Sequence, residues 1–260
     1  MECCPTVKKT DGSCISFDIL RIMVQHYNNK KNDKINILST KNEIVKEFEK
    51  KFGDKHSEWV KNSVFKDLPD KIKDTLENFT FRHDGPQGKF SWLSTVDLDK
   101  VLSQYELKYP DFKFLGAVPI DFNELSNLKI NSVNFDELQK KDINRFGVIF
   151  NLDEHYKNGS HWVSLFFDLK NKQVYFSDSV GIKPEKRIQK YMDKINTYLN
   201  NNTDCQYNTM KHQMGDSECG VYSINFILRL LKGERFKEIT SKRLSDEKVN
   251  KCRNIYFNKK

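Results

Sequence analysis

Apolar residues recur at three- and four-residue steps through the first third of the chain, then gather into short continuous runs. In SFDILRIMVQHYNN, Phe17, Leu20, Met23, Val24 and Tyr27 share one face. That spacing predicts a helix with Ser16 as its N-cap and Asn28 at its end. STKNEIVKEFEKKFG predicts a second helix, opened by a Thr40–Glu43 capping box and stopped by Gly53. LPDKIKDTLENF predicts a third, with Pro69 at its start and Ile72, Leu76 and Phe79 on one stripe. RHDGPQGKFS, with two glycines and a proline, then breaks the period. It sets the expected boundary between a helical N-terminal arm, residues 1–85, and a second domain, residues 86–260.

Beyond that boundary the pattern is mixed. STVDLDKVLSQYE reads as a helix carrying Leu98, Val101, Leu102 and Tyr105. FKFLGAVP, FGVIFNLD, HWVSLFFDL and KQVYFSDS are β-branched and aromatic runs between turn residues, and read as strands. KNKQ reads as the hairpin turn joining the last two, and CQYNTM as one further candidate strand. PEKRIQKYMDKINTYLNN returns to helical period through Ile188, Tyr191, Ile195 and Tyr198. In QMGDSECGVYSINFILRLLKG, Val221, Ile224, Ile227, Leu228 and Leu231 recur at helical steps until Gly233. This last helix is apolar nearly all round, so it belongs inside the domain. The expected fold class is α+β: a mixed central sheet with a buried helix, preceded by a helical region.

A chain of 260 residues buries enough surface to need no disulfide staples. The six cysteines, Cys3, Cys4, Cys14, Cys205, Cys219 and Cys252, lack framework spacing and no secretory signal opens the chain. Reduced thiols in a cytosol-like compartment are therefore expected. The longest apolar runs fall far short of the ~18 residues a membrane span requires, which predicts a soluble protein. The formal charge of +8 is spread along a chain rich in Lys and Asn. It permits weak nucleic-acid binding without specifying it.

The last helix is led by two candidate nucleophiles, Ser217 and Cys219. Gly215-Asp216-Ser217 resembles the serine environment of chymotrypsin-like proteases, with His161 and Asp178 in the matching order. Those proteins are all-β, however. Here a helix follows at once, Glu218 stands where their second glycine would be, and no G-x-S-x-G elbow exists. Ser217 reads better as a loop residue or N-cap. A thiol at a helix N-terminus, by contrast, feels the positive end of the macrodipole, and an imidazolium lowers its pKa further. Gly220 would let the backbone approach a substrate carbonyl closely, and the Cys219 N–H would donate to an oxyanion.

A lone buried cysteine is most often a small apolar filler, so Cys219 needs a base and an orienting acceptor. His161 opens one strand and Asp178 closes the next, and a hairpin brings those two ends together. Asp178 would then fix the imidazole tautomer that faces Cys219. Gln213 precedes Cys219 by six residues and would supply a side-chain amide to the oxyanion. Asp168 ends the strand that His161 begins, so it belongs at the far end of the sheet. His155 and His212 read as surface or loop residues. A metal site from Cys205, His212 and Cys219 lacks knuckle spacing, and no cofactor is called for.

His161-Trp162, Asp178 seventeen residues on, and Gln213 with Cys219-Gly220 six later resemble the adenain and SUMO-peptidase clan of cysteine proteases. This is a papain-like arrangement in His-Asp-Gln-Cys order, and the likeness runs from about Phe90 to Leu231. WLSTVDLDKVLSQYE is similar to that family's Trp-Leu helix start, which lines the substrate groove in relatives. The N-terminal stretch CCPTVKKTDGSCISFDILRIMVQHYN is similar to the arm of core proteases from large cytoplasmic DNA viruses. The resemblance implies an endopeptidase that cuts after small residues, in Gly-Gly-X or Ala-Gly-X sequences. It implies viral structural polyproteins as substrates during virion maturation, at assembly sites in the host cytoplasm and in the virion. A slot between Trp92 and Trp162 would admit only glycine-sized side chains, although packing alone explains both residues as well. SUMO peptidases usually carry an acidic residue three after the groove Trp. This chain has Thr95 there, which counts against a deSUMOylase. An isopeptidase acting on ubiquitin-like tails, and a non-catalytic or nucleic-acid-binding virion scaffold, are the other readings.

Overall fold

A computed structural model describes residues 3–86, 88 and 91–258. Phe90 and part of the expected boundary stretch lie outside the described residues. The described residues form two compact units. One comprises residues 3–84 with Phe257 and Asn258, and the other runs from Gly85 to Tyr256. Asn258 joins the first unit by donating its backbone N–H to His83 O at 2.9 Å.

The first unit is helical. Its Phe17–Lys30 helix is capped by Ser16 and packs Leu20, Met23, Val24 and Tyr27 into the core. It outruns Asn28, because that side chain does not cap the helix but holds both the N–H and the carbonyl of Ile35. The Lys41–Phe52 helix has the reciprocal Thr40–Glu43 capping box and ends at Gly53. The third expected helix is α-helical only over Asp70–Asp74 and widens into a π turn over Thr75–Thr80. There the Thr80 hydroxyl donates to Thr75 O, five residues back.

Expected reduced thiols are corrected here: Cys3 and Cys14 are joined in a disulfide. The Thr10–Ser13 bridge turns the chain back on itself, and the two Cα atoms stand 5.4 Å apart, within reach of a bridge. Cys4, Cys205, Cys219 and Cys252 are free.

The second unit is built on a five-stranded mixed sheet in sequential order: β1 (Phe112–Pro119), β2 (Arg145–Asn151), β3 (Trp162–Asp168), β4 (Gln173–Ser177) and β5 (Asp204–Tyr207). The outer pairs are parallel and the two central pairs antiparallel. β2 and β3 are buried almost throughout, because helices cover both faces of the sheet. On one face, Phe146, Val148, Val163, Leu165, Phe167, Val174 and Phe176 meet Ile188, Tyr191, Met192 and Ile195 of the Lys186–Tyr198 helix. On the other lies the Cys219–Leu231 helix, with eleven of its residues buried. Gly147 on β2 makes room for it: a Cβ there would stand 3.3 Å from Ile227 Cδ1 and 3.1 Å from Phe112 Cζ. Among the described residues no helix is long and apolar enough to cross a membrane.

Candidate active site

β3 and β4 pair in antiparallel register, Ser164 opposite Ser177, so the start of β3 adjoins the end of β4. His161 and Asp178 flank that end of the hairpin. His161 Nε2 lies 2.7 Å from Asp178 Oδ1, and Asp178 is buried. The Asp178 carboxylate also accepts the Val180 N–H at 2.9 Å, while its backbone N–H and carbonyl are both held by the Asn208 side chain at 2.8 Å. Gly181 completes the turn at φ +79°, with the Thr209 carbonyl only 2.7 Å from where a Cβ would stand. No other residue fits there.

With Nε2 on Asp178, the Nδ1 edge of the ring is left free of that bond, and Cys219 acts on the imidazole electrostatically. Burial alone would push the His161 pKa down. The hydrogen bond to Asp178, with the influence of Asp178 and Cys219 on the ring's charge, outweighs it and raises the pKa from 6.5 to about 9. The ring is thus held as an imidazolium at neutral pH.

Cys219 is the first residue of the buried helix, and no side chain caps that terminus. The first-turn N–H groups and the helix dipole therefore face the thiol and whatever adds to it. Arg253 adds positive charge here: it donates to Ser217 O at 3.1 Å and interacts electrostatically with both Glu218 and Cys219. Ser217 is turned elsewhere. Its hydroxyl and N–H both bond the Glu218 carboxylate at 3.0 Å, and the N-cap position belongs to Glu218.

Gln213 is buried and tightly oriented. Its Oε1 accepts the Ser179 hydroxyl at 2.7 Å, its backbone N–H bonds Ser179 O, and its Nε2 donates to Gly215 O at 2.8 Å. An amide nitrogen carries two hydrogens, so one is left to donate.

Trp92 and Trp162 border one groove, together with Leu93, Ala117, Pro119 and Leu128. Trp92 is 45 % exposed and Trp162 only 5 %. Trp162 donates its indole N–H to Leu93 O at 2.9 Å, so its main work is to hold the chain leading into the Thr95–Lys108 helix. Gly220, expected to lie under a substrate backbone, is instead buried beneath Leu93, with the position of a Cβ 3.0 Å from Leu93 Cβ. Its missing side chain admits a neighbour in the fold.

Asp168 sits at the far end of the sheet and accepts both the N–H and the side-chain amide of Asn171. His155 is half exposed and bonds Asp121. His212, read as a surface or loop residue, lies in a loop but is buried, and its Nδ1 accepts the Leu244 N–H at 3.0 Å. That bond, with burial lowering its pKa, keeps the ring neutral. Cys205 is exposed on β5.

Asn208 and Ser179 were not singled out by the sequence, and Leu93 only as part of the Trp-Leu helix start. A signal existed for the first: β5 runs parallel to β4, so the residue that closes β5 lies beside the one that closes β4.

The family profile of the Ulp1 protease family, C-terminal catalytic domain, matches residues 131–260. A protein of Acanthamoeba polyphaga mimivirus named as a thiol protease is 37% identical over 272 residues, spanning 96% of this chain and 90% of its own. A SUMO-1 cysteine protease of African swine fever virus is 26% identical over 196 residues, spanning 68% of this chain and 71% of its own. The crystal structure of the African swine fever virus protease superposes with a TM-score of 0.69 at 22% identity, over 99% of this chain and 96% of that one, which shows a shared fold. The chain belongs to the Ulp1 protease family and is a cysteine protease akin to that family's viral members.

Proposed function

We propose that the chain is an endopeptidase in which Cys219 is the nucleophile, His161 the acid and base, and Asp178 the acceptor that orients it. Gln213 and the Cys219 N–H form the oxyanion hole. The observation that carries this reading is the His161 ring, bonded to buried Asp178 and interacting electrostatically with Cys219, the first residue of a buried helix that no side chain caps. The Cys219 thiolate adds to the scissile carbonyl carbon, and the carbonyl electron pair moves onto oxygen, where the two donors receive it. Collapse expels the amine, which takes a proton from the His161 imidazolium. Water then loses a proton to His161, attacks the thioester and releases the acid, restoring the thiolate.

For substrate, we favour extended polypeptides with small residues before the cut, processed from viral structural polyproteins at assembly sites or in the virion. The groove bordered by Trp92, Leu93 and Trp162 supports this, since glycine before the cut leaves no side chain to place there. The test is a panel of Gly-Gly-X and Ala-Gly-X peptides, with Leu-substituted controls, cut by the native chain and by Cys219→Ala and Ser217→Ala. Cleavage lost only in Cys219→Ala, and slowed by Leu, is expected. Loss in Ser217→Ala instead, or equal rates with Leu, would overturn the nucleophile or the specificity.

A second reading, cleavage of a ubiquitin-like tail, is favoured by the name of the African swine fever virus relative. Release of a fluorophore from an intact SUMO far faster than from its last residues alone would support it.

A further inference from the structure

Between Gln213 and Cys219 the chain has no regular structure, and Met214, Gly215 and Asp216 are exposed. One carboxylate, from the C-terminal part of the same unit, ties this loop to the helix that follows. Asp246 is the first residue of the short Asp246–Lys251 helix. Its Oδ2 accepts the N–H groups of Met214 at 3.0 Å and Gly215 at 3.1 Å. Its Oδ1 accepts the hydroxyl of Tyr222 at 2.8 Å, and Tyr222 lies one turn into the helix that Cys219 begins. The Gly215 residue is therefore gripped at both ends, its N–H by Asp246 and its carbonyl by Gln213 Nε2 at 2.8 Å.

Flanking contacts secure the loop elsewhere. Arg243 bonds His212 O, Asn250 bonds the Glu218 carboxylate, and Arg253 bonds Ser217 O. The Glu218 carboxylate packs against Gly215, but among the described residues Asp246 is the side chain that accepts the Gly215 N–H, and the Gly215 carbonyl fixes the Gln213 amide nitrogen.

We propose that Asp246 is a positioning residue for the oxyanion hole: through Gly215 it sets where the Gln213 amide stands relative to the Cys219 N–H. The proposal rests on the roles given above to Gln213 and Cys219. Oxyanion donors act through preorganisation, and tolerances are a few tenths of an ångström. An exposed loop held only by water would not keep them. Asp246 is an acceptor aimed at backbone N–H groups, so it acts on the reaction through the loop and makes no contact with substrate in this role.

The experiment compares the native chain with Asp246→Asn, Asp246→Ala, Tyr222→Phe and Gln213→Ala in three measurements. These are steady-state peptide cleavage, inhibition by a peptide aldehyde, and alkylation of Cys219 by iodoacetamide. The aldehyde adds to the thiol and places its new oxygen in the hole, whereas alkylation needs the thiolate alone. Asp246→Asn is expected to lose ~30–100-fold in kcat with KM within about threefold, somewhat less than outright removal of a donor. Aldehyde affinity should fall in step, with alkylation kept within about threefold. Tyr222→Phe leaves both backbone bonds in place and should hold kcat within about threefold. Combining Gln213→Ala with Asp246→Asn should cost little beyond the worse single change, because both act through one donor.

Native kcat in Asp246→Asn and Asp246→Ala would overturn the proposal. So would alkylation lost in parallel with kcat, the mark of general loosening. A native chain that neither cuts peptide nor binds the aldehyde removes the functional reading and this inference together. An active native chain indifferent to Asp246 removes only the inference.

Discussion

Asp178→Asn keeps the shape of a buried side chain and removes its charge, which isolates the electrostatics of the pair with His161. Raising the His161 pKa from 6.5 to about 9 corresponds to about 3 kcal/mol of preference for the charged ring. Asp178 and Cys219 share that preference. If Asp178 supplies half, its loss costs about 1.5 kcal/mol, roughly tenfold in the imidazolium equilibrium. The reactive form is thiolate with imidazolium, so deprotonation of His161 sets the alkaline limb of kcat/KM. That limb is expected near pH 9 in the native chain and at least one pH unit lower in Asp178→Asn.

Stability follows the same sign. The folded pKa lies above the unfolded value, so the charged ring stabilises the fold fully below about pH 6.5, and this is lost as pH rises through about 9. The melting temperature of the native chain should therefore exceed that of Asp178→Asn most at pH 6–6.5 and converge with it by pH 9.5–10. Profiles of kcat/KM and of iodoacetamide alkylation from pH 5 to 10.5 decide the matter. An alkaline limb that stays in place after Asp178→Asn would refute the claim that this carboxylate holds the proton on His161.

Three further outcomes are expected. Gly220→Ala drives a methyl to 3.0 Å from Leu93 Cβ, and overpacking of this kind costs about 1–3 kcal/mol, more than Ala returns in helix propensity; calorimetry should show a lower melting temperature, and kcat should fall as Leu93 is displaced from Trp162. Asn208→Ala strips the bonds that hold both backbone groups of Asp178, with a loss of about 1–3 kcal/mol for the buried groups left unpaired; unchanged urea unfolding would count against it. Peptide mapping without reductant should recover Cys3 linked to Cys14, and Cys14→Ser should lower the stability of the N-terminal unit by about 2–3 kcal/mol, the scale for a short closed loop.

What could be read from the sequence was whatever local chemistry dictates. The Thr40–Glu43 capping box, the β1 run and the apolar helix after Cys219 depend on residues within a few positions of one another, and the structure forms all three. The approach of His161 to Asp178 was also legible, because a hairpin converts nearness in sequence into nearness in space. What stayed hidden depends on contacts between distant segments. Gly220 looked permissive for a substrate, but Leu93, 127 positions away, fills the space above it. His212 read as a surface or loop residue; it lies in a loop but is buried, its Nδ1 held by the Leu244 N–H from a segment whose periodicity is too short to predict. The Cys3–Cys14 bridge depends on a turn at Thr10–Ser13 that Asp11-Gly12 announces, both at positive φ, but a turn signal alone does not say which cysteines it brings together.

The N-terminal unit contains a second relay that separates geometry from chemistry. Ser13 Oγ lies 2.9 Å from His56 Nδ1, and His56 Nε2 lies 2.9 Å from Glu49 Oε1, the same chain of acid, imidazole and nucleophile type. The environments have opposite effects. Burial dominates at His56 and pushes its pKa down despite Glu49, whereas at His161 the partners win and push it up. The His56 side chain is 3 % exposed and stacked on Trp59, against 19 % exposed for His161. Ser13 itself is fully buried and accepts the Ile15 N–H, so its lone pairs serve the backbone. A neutral imidazole beside an enclosed hydroxyl has no substrate to meet and no charge to deliver, which makes this relay a packing device. Ser13→Ala should therefore leave peptide turnover at the native level while destabilising the unit by about 1–3 kcal/mol, as His56 loses a buried partner. A fluorophosphonate probe should label neither Ser13 nor Ser217, while iodoacetamide labels Cys219. Labelling of Ser13 would show that burial does not silence such a relay, and would remove the ground on which the His161 site is preferred.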